Sequence, residues 1–349
     1  YCTPEAYRGD TCWLFRNRGN GTFEDVTATS GIFDTSSKSL GVAMLDTDED
    51  GWMDLVVAND TQPNKLYRNR HDGTFEEMGV KAGVAFSADG RARAGMGIDA
   101  GDFDRSGRMG IAVTNFDGEM AGLYRSLGPG LYEDVAVKAG IGDPSRHRLG
   151  FGCLFADLDL DGALDLVVAN GHINPSARRA NDVGAAYPPL LFRNQGDGTF
   201  RDVASEAGAA FVRPRVGRGL AAGDFDRDGD VDLLMTTNNG PAVLFRNDQQ
   251  AGHHSLRLTL SGTTSNRDAI GARVRVTAGG VTETRLVKSG SSYLSQSELP
   301  LTFGLGPRDQ VDRVVVDWPS GRTDEFPRVA TGRAYRIVEG RRLTEDPPK

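Results

Sequence analysis

The chain has 349 residues and a formal net charge of −8, enough for one large β domain plus a smaller one. It contains no run of about 18 apolar residues, so no segment reads as a membrane-spanning helix. No basic stripe offsets the acid, which argues against a nucleic-acid partner. Glycine supplies 45 residues, near twice the ~7% typical of proteins and without a collagen period, so it signals many tight turns.

The chain opens in the middle of a repeated unit. Residues 14–17 (Leu-Phe-Arg-Asn) and 20–26 (Asn-Gly-Thr-Phe-Glu-Asp-Val) read as third and fourth strands with no first or second strand before them. A full unit follows. Residues 41–45 form a short strand into the acidic loop 46–54, and 55–58 is an apolar run whose continuity predicts burial on both faces. Residues 66–69 (Leu-Tyr-Arg-Asn) make a third strand, Asp72-Gly73 supplies the positive φ of a tight hairpin, and 74–77 returns as a fourth.

The same order recurs around loops 102–110, 157–165 and 224–232. Apolar strands are expected at 166–169 and 233–236, and third strands at 123–126, 191–194 and 244–247. Four antiparallel strands in about 55 residues are a propeller blade. The count is three complete blades, one without its outer strand, and the initial half blade. Either a small ring closes with that half blade, or earlier blades belong to a preceding part of the polypeptide. The second is the expectation, since the chain starts at Tyr1 without Met. Open blades expose sheet edges, so such an arc needs a partner, from an upstream segment or another subunit.

From residue 253 the chain alternates in short strands at 255–260, 272–277, 284–288, 301–303, 313–316 and 335–338, which reads as a small β-sandwich. The fold class is therefore all-β. The expected divisions are 1–247 for the propeller repeats, 248–340 for the sandwich and 341–349 for a charged tail. Of three cysteines, Cys2 and Cys12 could bridge, while Cys153 in the apolar strand 151–156 reads as a buried thiol.

The acidic loops carry the chemistry. In 157–165, Asp157, Asp159, Asp161 and Asp165 stand at positions 1, 3, 5 and 9, and would repel one another with nothing between them. Oxygen ligands on alternate residues suit Ca²⁺, and Gly162 at position 6 allows the sharp turn that brings Asp165 back. The pattern recurs as Asp46, Asp48, Asp50 and Asp54, and as Asp224, Asp226, Asp228 and Asp232. In 102–110 it has decayed: Asp102 and Asp104 remain, Ser106 stands at position 5, and Gly110 replaces the closing Asp. That copy reads as a weak metal site or as an acidic turn without metal. Weak Ca²⁺ sites favour a compartment outside the cytoplasm, where free Ca²⁺ is high.

On these loops and the Leu-Phe-Arg-Asn…Gly-Thr-Phe hairpins, residues 13–247 resemble the FG-GAP/VCBS repeats of integrin-type β-propellers. Residues 253–340 resemble the ASPIC/UnbV domain through 265–272 (Ser-Asn-Arg-Asp-Ala-Ile-Gly-Ala), 290–297 (Gly-Ser-Ser-Tyr-Leu-Ser-Gln-Ser), 303–306 (Phe-Gly-Leu-Gly) and 318–321 (Trp-Pro-Ser-Gly). The pairing is similar to the cartilage-acidic-protein-like group and its bacterial relatives, some of which sit in biosynthetic clusters. The resemblance implies a secreted, Ca²⁺-binding propeller in which each ion ties one loop together. It adds the position-7 carbonyls of Trp52, Ala163 and Asp230 as ligands.

Other candidates are less specific. An extra segment, from 171–175 through 187–189, interrupts one blade and carries His172, a candidate metal or ligand contact or an idle loop histidine. Arg267 in Asn266-Arg267-Asp268 could clamp a carboxylate or sugar, or simply shape a turn. The loop 289–297, with Tyr293, suits glycan or peptide contact or is a plain polar surface loop. Arg213, Arg215 and Arg218 are expected to balance the last acidic loop, and Trp318 to pack the sandwich. Two functions remain: an extracellular interaction or adhesion scaffold with structural Ca²⁺ and a protein or glycan partner, or a Ca²⁺-dependent biosynthetic cyclase or lyase.

Overall fold

A computed structural model describes residues 4–174, 184–249 and 251–346. The chain is almost wholly β, as expected. A two-stranded half blade (Phe15–Asn17, Phe23–Asp25) precedes three four-stranded antiparallel sheets and one three-stranded sheet. Blade A comprises Ser39–Leu45, Asp54–Asn59, Lys65–Asn69 and Phe75–Glu77. Blade B comprises Ile98–Gly101, Gly110–Val113, Gly122–Gly128 and Leu131–Asp134. Blade C comprises Gly150–Ala156, Asp165–Asn170, Leu190–Asn194 and Phe200–Asp202. Blade D has only Gly217–Gly223, Asp232–Thr237 and Val243–Phe245.

First strands of successive blades lie beside one another, A to B to C to D. The core is accordingly a series of apolar seams. Val56 and Leu66 meet Ile98 and Ile111 between A and B, Leu123 and Phe103 meet Phe155 and Leu166 between B and C, and Val167 meets Leu220 and Leu233 between C and D. Second strands buried on both sides explain why they read as unbroken apolar runs. Cys153 is fully buried in one of these seams. Cys2 lies outside the described residues, and with it the Cys2–Cys12 bridge.

The C-terminal strands form two packed sheets, one ordered Leu301–Gly304, Ser255–Ser261, Arg333–Val338, Thr344–Glu345 and the other Val281–Leu286, Arg273–Ala278, Gln310–Asp317, Thr323–Ala330. Leu256, Leu258, Val274, Val314 and Ile337 fill the space between them, and Trp318 packs there with its indole N–H on Asp324 at 2.9 Å. The strands Thr323–Ala330 and Thr344–Glu345 were not expected from sequence. Charged and proline residues in the first of them mask its alternation.

Candidate metal loops and their clamp

All four acidic loops share one backbone. Position 4 is left-handed in each (Glu49 φ 63°, Arg105 55°, Leu160 56°, Arg227 65°), and position 6 is a glycine with φ of 82–100°. The turn is held by its own polar groups. Asp46, Asp102 and Asp157 at position 1 accept the N–H of Gly51, Gly107 and Gly162 at 2.9–3.1 Å. Position 5 accepts the position-7 N–H, as Asp161 does from Ala163 at 2.7 Å and Ser106 Oγ does from Arg108 at 3.3 Å.

The closing aspartates fasten each loop to its blade. Asp54, Asp165 and Asp232 take the position-2 N–H with one oxygen, at 2.9–3.2 Å, and the N–H of Asn69, Asn194 or Asn247 with the other, at 2.7–2.9 Å. Those asparagines close the Leu-aromatic-Arg-Asn strands. Their side chains donate to the position-8 carbonyls of Met53, Leu164 and Val231 at 2.9–3.3 Å. Asn194 and Asn247 also reach back to Phe103 O and Leu158 O in the preceding loop, both at 2.7 Å. The recurring asparagine is thus a tie between blades, a role its spacing alone did not reveal.

Three clusters bring carboxylate oxygens within 4.8 Å of one another: Asp46, Asp48 and Asp50; Asp157, Asp159 and Asp161; and Asp224, Asp226 and Asp232. Asp228 stands outside the third, and Asp54 and Asp165 outside the first two. Buried oxygens without a hydrogen-bond partner remain at all three clusters, Asp48 Oδ1, Asp159 Oδ2 (which faces Arg193) and Asp224 Oδ1, and Asp102 Oδ1 is one in the 102–110 loop. An all-oxygen donor set with unpaired buried acceptors fits a hard cation. Burial drives Asp46, Asp48 and Asp224 above the usual carboxylate range, and drives Asp157 up to about 7 against the opposing charge of Arg285. The 102–110 loop gathers no such trio among the described residues. Its Gly110 is fixed by packing, because a Cβ there would lie 2.3 Å from the ring of Phe103, which stacks on Phe155 and meets Phe200 at a tilt, both at 5.9 Å.

The compensating cations come from the C-terminal domain. Arg273 lies 3.3 Å from Asp46, Arg285 4.0 Å from Asp157 and Arg257 3.6 Å from Asp224, one arginine on the first aspartate of each intact loop. Arg257 also holds Glu298, whose carboxylate accepts the Asp224 N–H at 3.1 Å. Gly304 N–H donates to Asp157 at 3.1 Å, and Lys288 pairs with Asp99. Arg193 contacts Asp159 within blade C. The expectation for Arg215 and Arg218 is corrected. Arg215 and Arg218 stack on Phe245 and Phe151, at 5.4 and 4.0 Å, and donate to backbone carbonyls. Nearness in sequence misplaced the charge balance.

The 289–297 loop is anchored to the blades through part of its length, while Leu294 stays 86% exposed. Ser292 exchanges backbone hydrogen bonds with Ile98 at 2.8 and 3.0 Å, and Tyr293 meets Phe151 edge-on at 5.0 Å. Arg267 pairs with its neighbour Asp268 at 2.9 Å, while Asn266 closes the turn on Ile270, so this triplet shapes a turn. His172 is buried, accepts the Asn174 N–H at 2.9 Å and sits edge-on to Phe116 and Tyr187. It belongs to none of the acidic clusters. One residue beside a cluster had escaped notice: His71 stacks on Trp52 at 4.8 Å with Nε2 2.6 Å from Asp50.

Successive antiparallel blades with an acidic loop of one shape at the first hairpin of each, DxDxDG in three and DxDxSG in blade B, followed by a two-sheet domain, define a class: propeller-type repeat proteins with a C-terminal sandwich. Residues 6–57, 46–113 and 180–235 match the FG-GAP-like repeat, and 262–344 match the ASPIC and UnbV domain. The chain is homologous to cartilage acidic protein 1: it is 29% identical to the human protein over 331 residues, covering 93% of this chain and 47% of that protein. The mouse protein is 29% identical over 313 residues, covering 88% and 45%. The chain thus spans about half the length of these relatives. A solved Agrocybe aegerita lectin that recognises non-reducing terminal N-acetylglucosamine is similar over 69% of this chain and 61% of its own, at 19% identity and a TM-score of 0.38, too low to bear on site or function. No helix among the described residues is long and apolar enough to cross a membrane, which leaves β-barrel spans unaddressed.

Proposed function

We propose that this chain is an extracellular interaction scaffold whose propeller loops bind Ca²⁺ structurally and whose surface holds a protein or glycan partner. The carrying observation is the threefold recurrence of one loop backbone with three clustered carboxylates, each met by an arginine from the far domain. Asp46, Asp48 and Asp50, then Asp157, Asp159 and Asp161, then Asp224, Asp226 and Asp232 would hold the ions. Asp54, Asp165 and Asp228, with the carbonyls of Trp52, Ala163 and Asp230, complete the candidate sets. The bound cation supplies charge neutralisation, while the chain's own groups hold the loop in register and dock the C-terminal domain. The cyclase or lyase reading draws no support from His172 or Arg267, which are engaged in packing and a turn.

Calorimetric titration of chelator-treated protein with Ca²⁺ should give three sites, and EGTA should lower the melting temperature. Each site would contribute about 2.7 kcal/mol with Ca²⁺ at a hundredfold over its Kd. An unmoved melting curve would sink the metal role.

A further inference from the structure

Every blade except D ends in a strand held in one invariant way. In the half blade and in A, B and C, an aromatic residue pairs with the residue that closes the Leu-aromatic-Arg-Asn or Leu-Tyr-Arg-Ser motif of the third strand: Phe23 with Asn17, Phe75 with Asn69, Tyr132 with Ser126 (two residues before that strand ends, past a bulge), and Phe200 with Asn194. An acid two residues on pairs with that strand's aromatic position, as Asp202 does with Phe192. The next N–H, from Val26, Met78, Val135 or Val203, donates to a third-strand leucine carbonyl at 2.7–3.0 Å. A glycine of the preceding unit backs the aromatic residue. A Cβ on Gly31, Gly83 or Gly140 would lie 2.3–2.5 Å from the carbonyl oxygen of Phe75, Tyr132 or Phe200.

Blade D repeats the receiving half of this arrangement. Gly208 stands eight residues after Phe200, as Gly140 does after Tyr132, with φ of 92°, yet it faces no atom within 4 Å. Among the described residues the strand Val243–Phe245 is an edge, paired on one side only. The outer face of blade D is open as well: Leu234 and Leu244 are 45% and 49% exposed, where Val167 is covered by blade D and Leu123 by blade C, and Leu191 is partly buried. Edge strands of this kind are templates for strand addition.

We infer that the edge of blade D is a strand-acceptor site for an extended peptide segment of the pattern Gly-Thr-aromatic-x-acid-apolar. The incoming aromatic residue sets opposite Asn247, its acid opposite Phe245, and its apolar N–H on Leu244 O, with Gly208 behind the aromatic carbonyl. The occupant follows from an interface this chain already makes four times, three of them with that pattern and once, at Gly130-Leu131-Tyr132 in blade B, with Leu in place of Thr. The inference names the kind of partner for the scaffold proposed above and rests on its partner-binding half, independent of calcium.

The test is fluorescence anisotropy of a labelled peptide, Gly-Asp-Gly-Thr-Phe-Arg-Asp-Val-Ala (the sequence of 196–204), titrated with the whole chain in calcium buffer. Saturable binding is expected, at least tenfold weaker when the peptide carries Phe200→Asp. In the filled blades the hydrogen bonds Val203 N–H to Leu191 O and Gln195 N–H to Thr199 O flank Arg193. By the antiparallel alternation Arg193 then exchanges both bonds with its partner, so the matching Arg246 N–H faces the incoming strand. Proline is tolerated where an edge N–H faces solvent. Arg246→Pro should therefore keep the melting curve and lose at least tenfold in affinity. N-methylation of the peptide at Arg201 removes the reciprocal bond of the same pair, peptide N–H to Arg246 O, without altering the protein. Absence of saturable binding, or equal binding by the N-methyl peptide, overturns the inference. So does a dimer in sedimentation that Arg246→Pro dissolves, since a second copy would then own the edge. Failure of the EGTA experiment with intact peptide binding would remove calcium alone.

Discussion

Loops 157–165 and 102–110 share their backbone and differ in their carboxylates. Both have a left-handed fourth residue, a left-handed glycine at position 6, and the same N–H on the first aspartate. Shape therefore does not require the full acidic set. What the intact loop adds is concentrated charge, and with it the arginine and backbone N–H of a distant domain. The decayed loop turns outward in charge: Arg105 donates to Asp161 O at 3.2 Å, and Arg108 pairs with Glu49 at 2.6 Å, so it bridges the loops on either side.

The sharpest way to break this contrast is to remove the first aspartate of each. Asp157 accepts N–H groups from Asp161, Gly162 and Gly304, all at 2.9–3.1 Å, and lies beside Arg285. Asp157→Ala should cost about 3–5 kcal/mol in urea unfolding, since it strands three buried or half-buried donors and leaves Arg285 paired with Glu283 alone. Asp102→Ala should cost about 1–2 kcal/mol. Equal losses would mean the two loops do the same work.

Rebuilding the decayed loop is the next test. Gly110→Asp drives a side chain into Phe103 and should destabilise by about 1–3 kcal/mol. Ser106→Asp alone should leave the calorimetric Ca²⁺ stoichiometry unchanged. A fourth site in either variant would show that packing does not forbid the ion.

A smaller effect concerns pH. Glu283, buried beside Arg285, is pushed up to about 8 by burial, the arginine opposing. Its folded value exceeds its unfolded one, so the native state keeps a proton that the unfolded state has lost. Stability from this group is therefore present at low pH and declines as pH rises from about 4.5 to 8. Glu283→Gln should flatten that decline in pH-dependent melts. Least of all, Arg108→Ala should cost under about 1 kcal/mol, because its pair with Glu49 is solvent-exposed.

Local grammar made the blades legible: Asp-Gly turns, unbroken apolar strands and glycine at position 6 all act within a few residues. Long-range pairing was not legible. Nothing around Arg257, Arg273 or Arg285 in sequence marks them as partners of Asp224, Asp46 and Asp157, and nothing around 289–297 announces that Ser292 pairs with Ile98. The left-handed Glu49, Arg105, Leu160 and Arg227 were also hidden, since none is the glycine or asparagine that usually signals such a backbone. The Leu-aromatic-Arg-Asn strands were noticed for their recurrence, but only the structure showed their asparagines reaching into neighbouring loops.

The arginine contact between Arg273 and Asp46 spans 227 residues of chain. A ribosome releases the blades long before it makes the domain that balances their first aspartates. During that interval the first aspartates of the acidic loops wait for these arginines, with only blade-internal pairs such as Arg193 with Asp159 in place. The later-made domain is thus the one that completes the charge balance of the earlier-made loops.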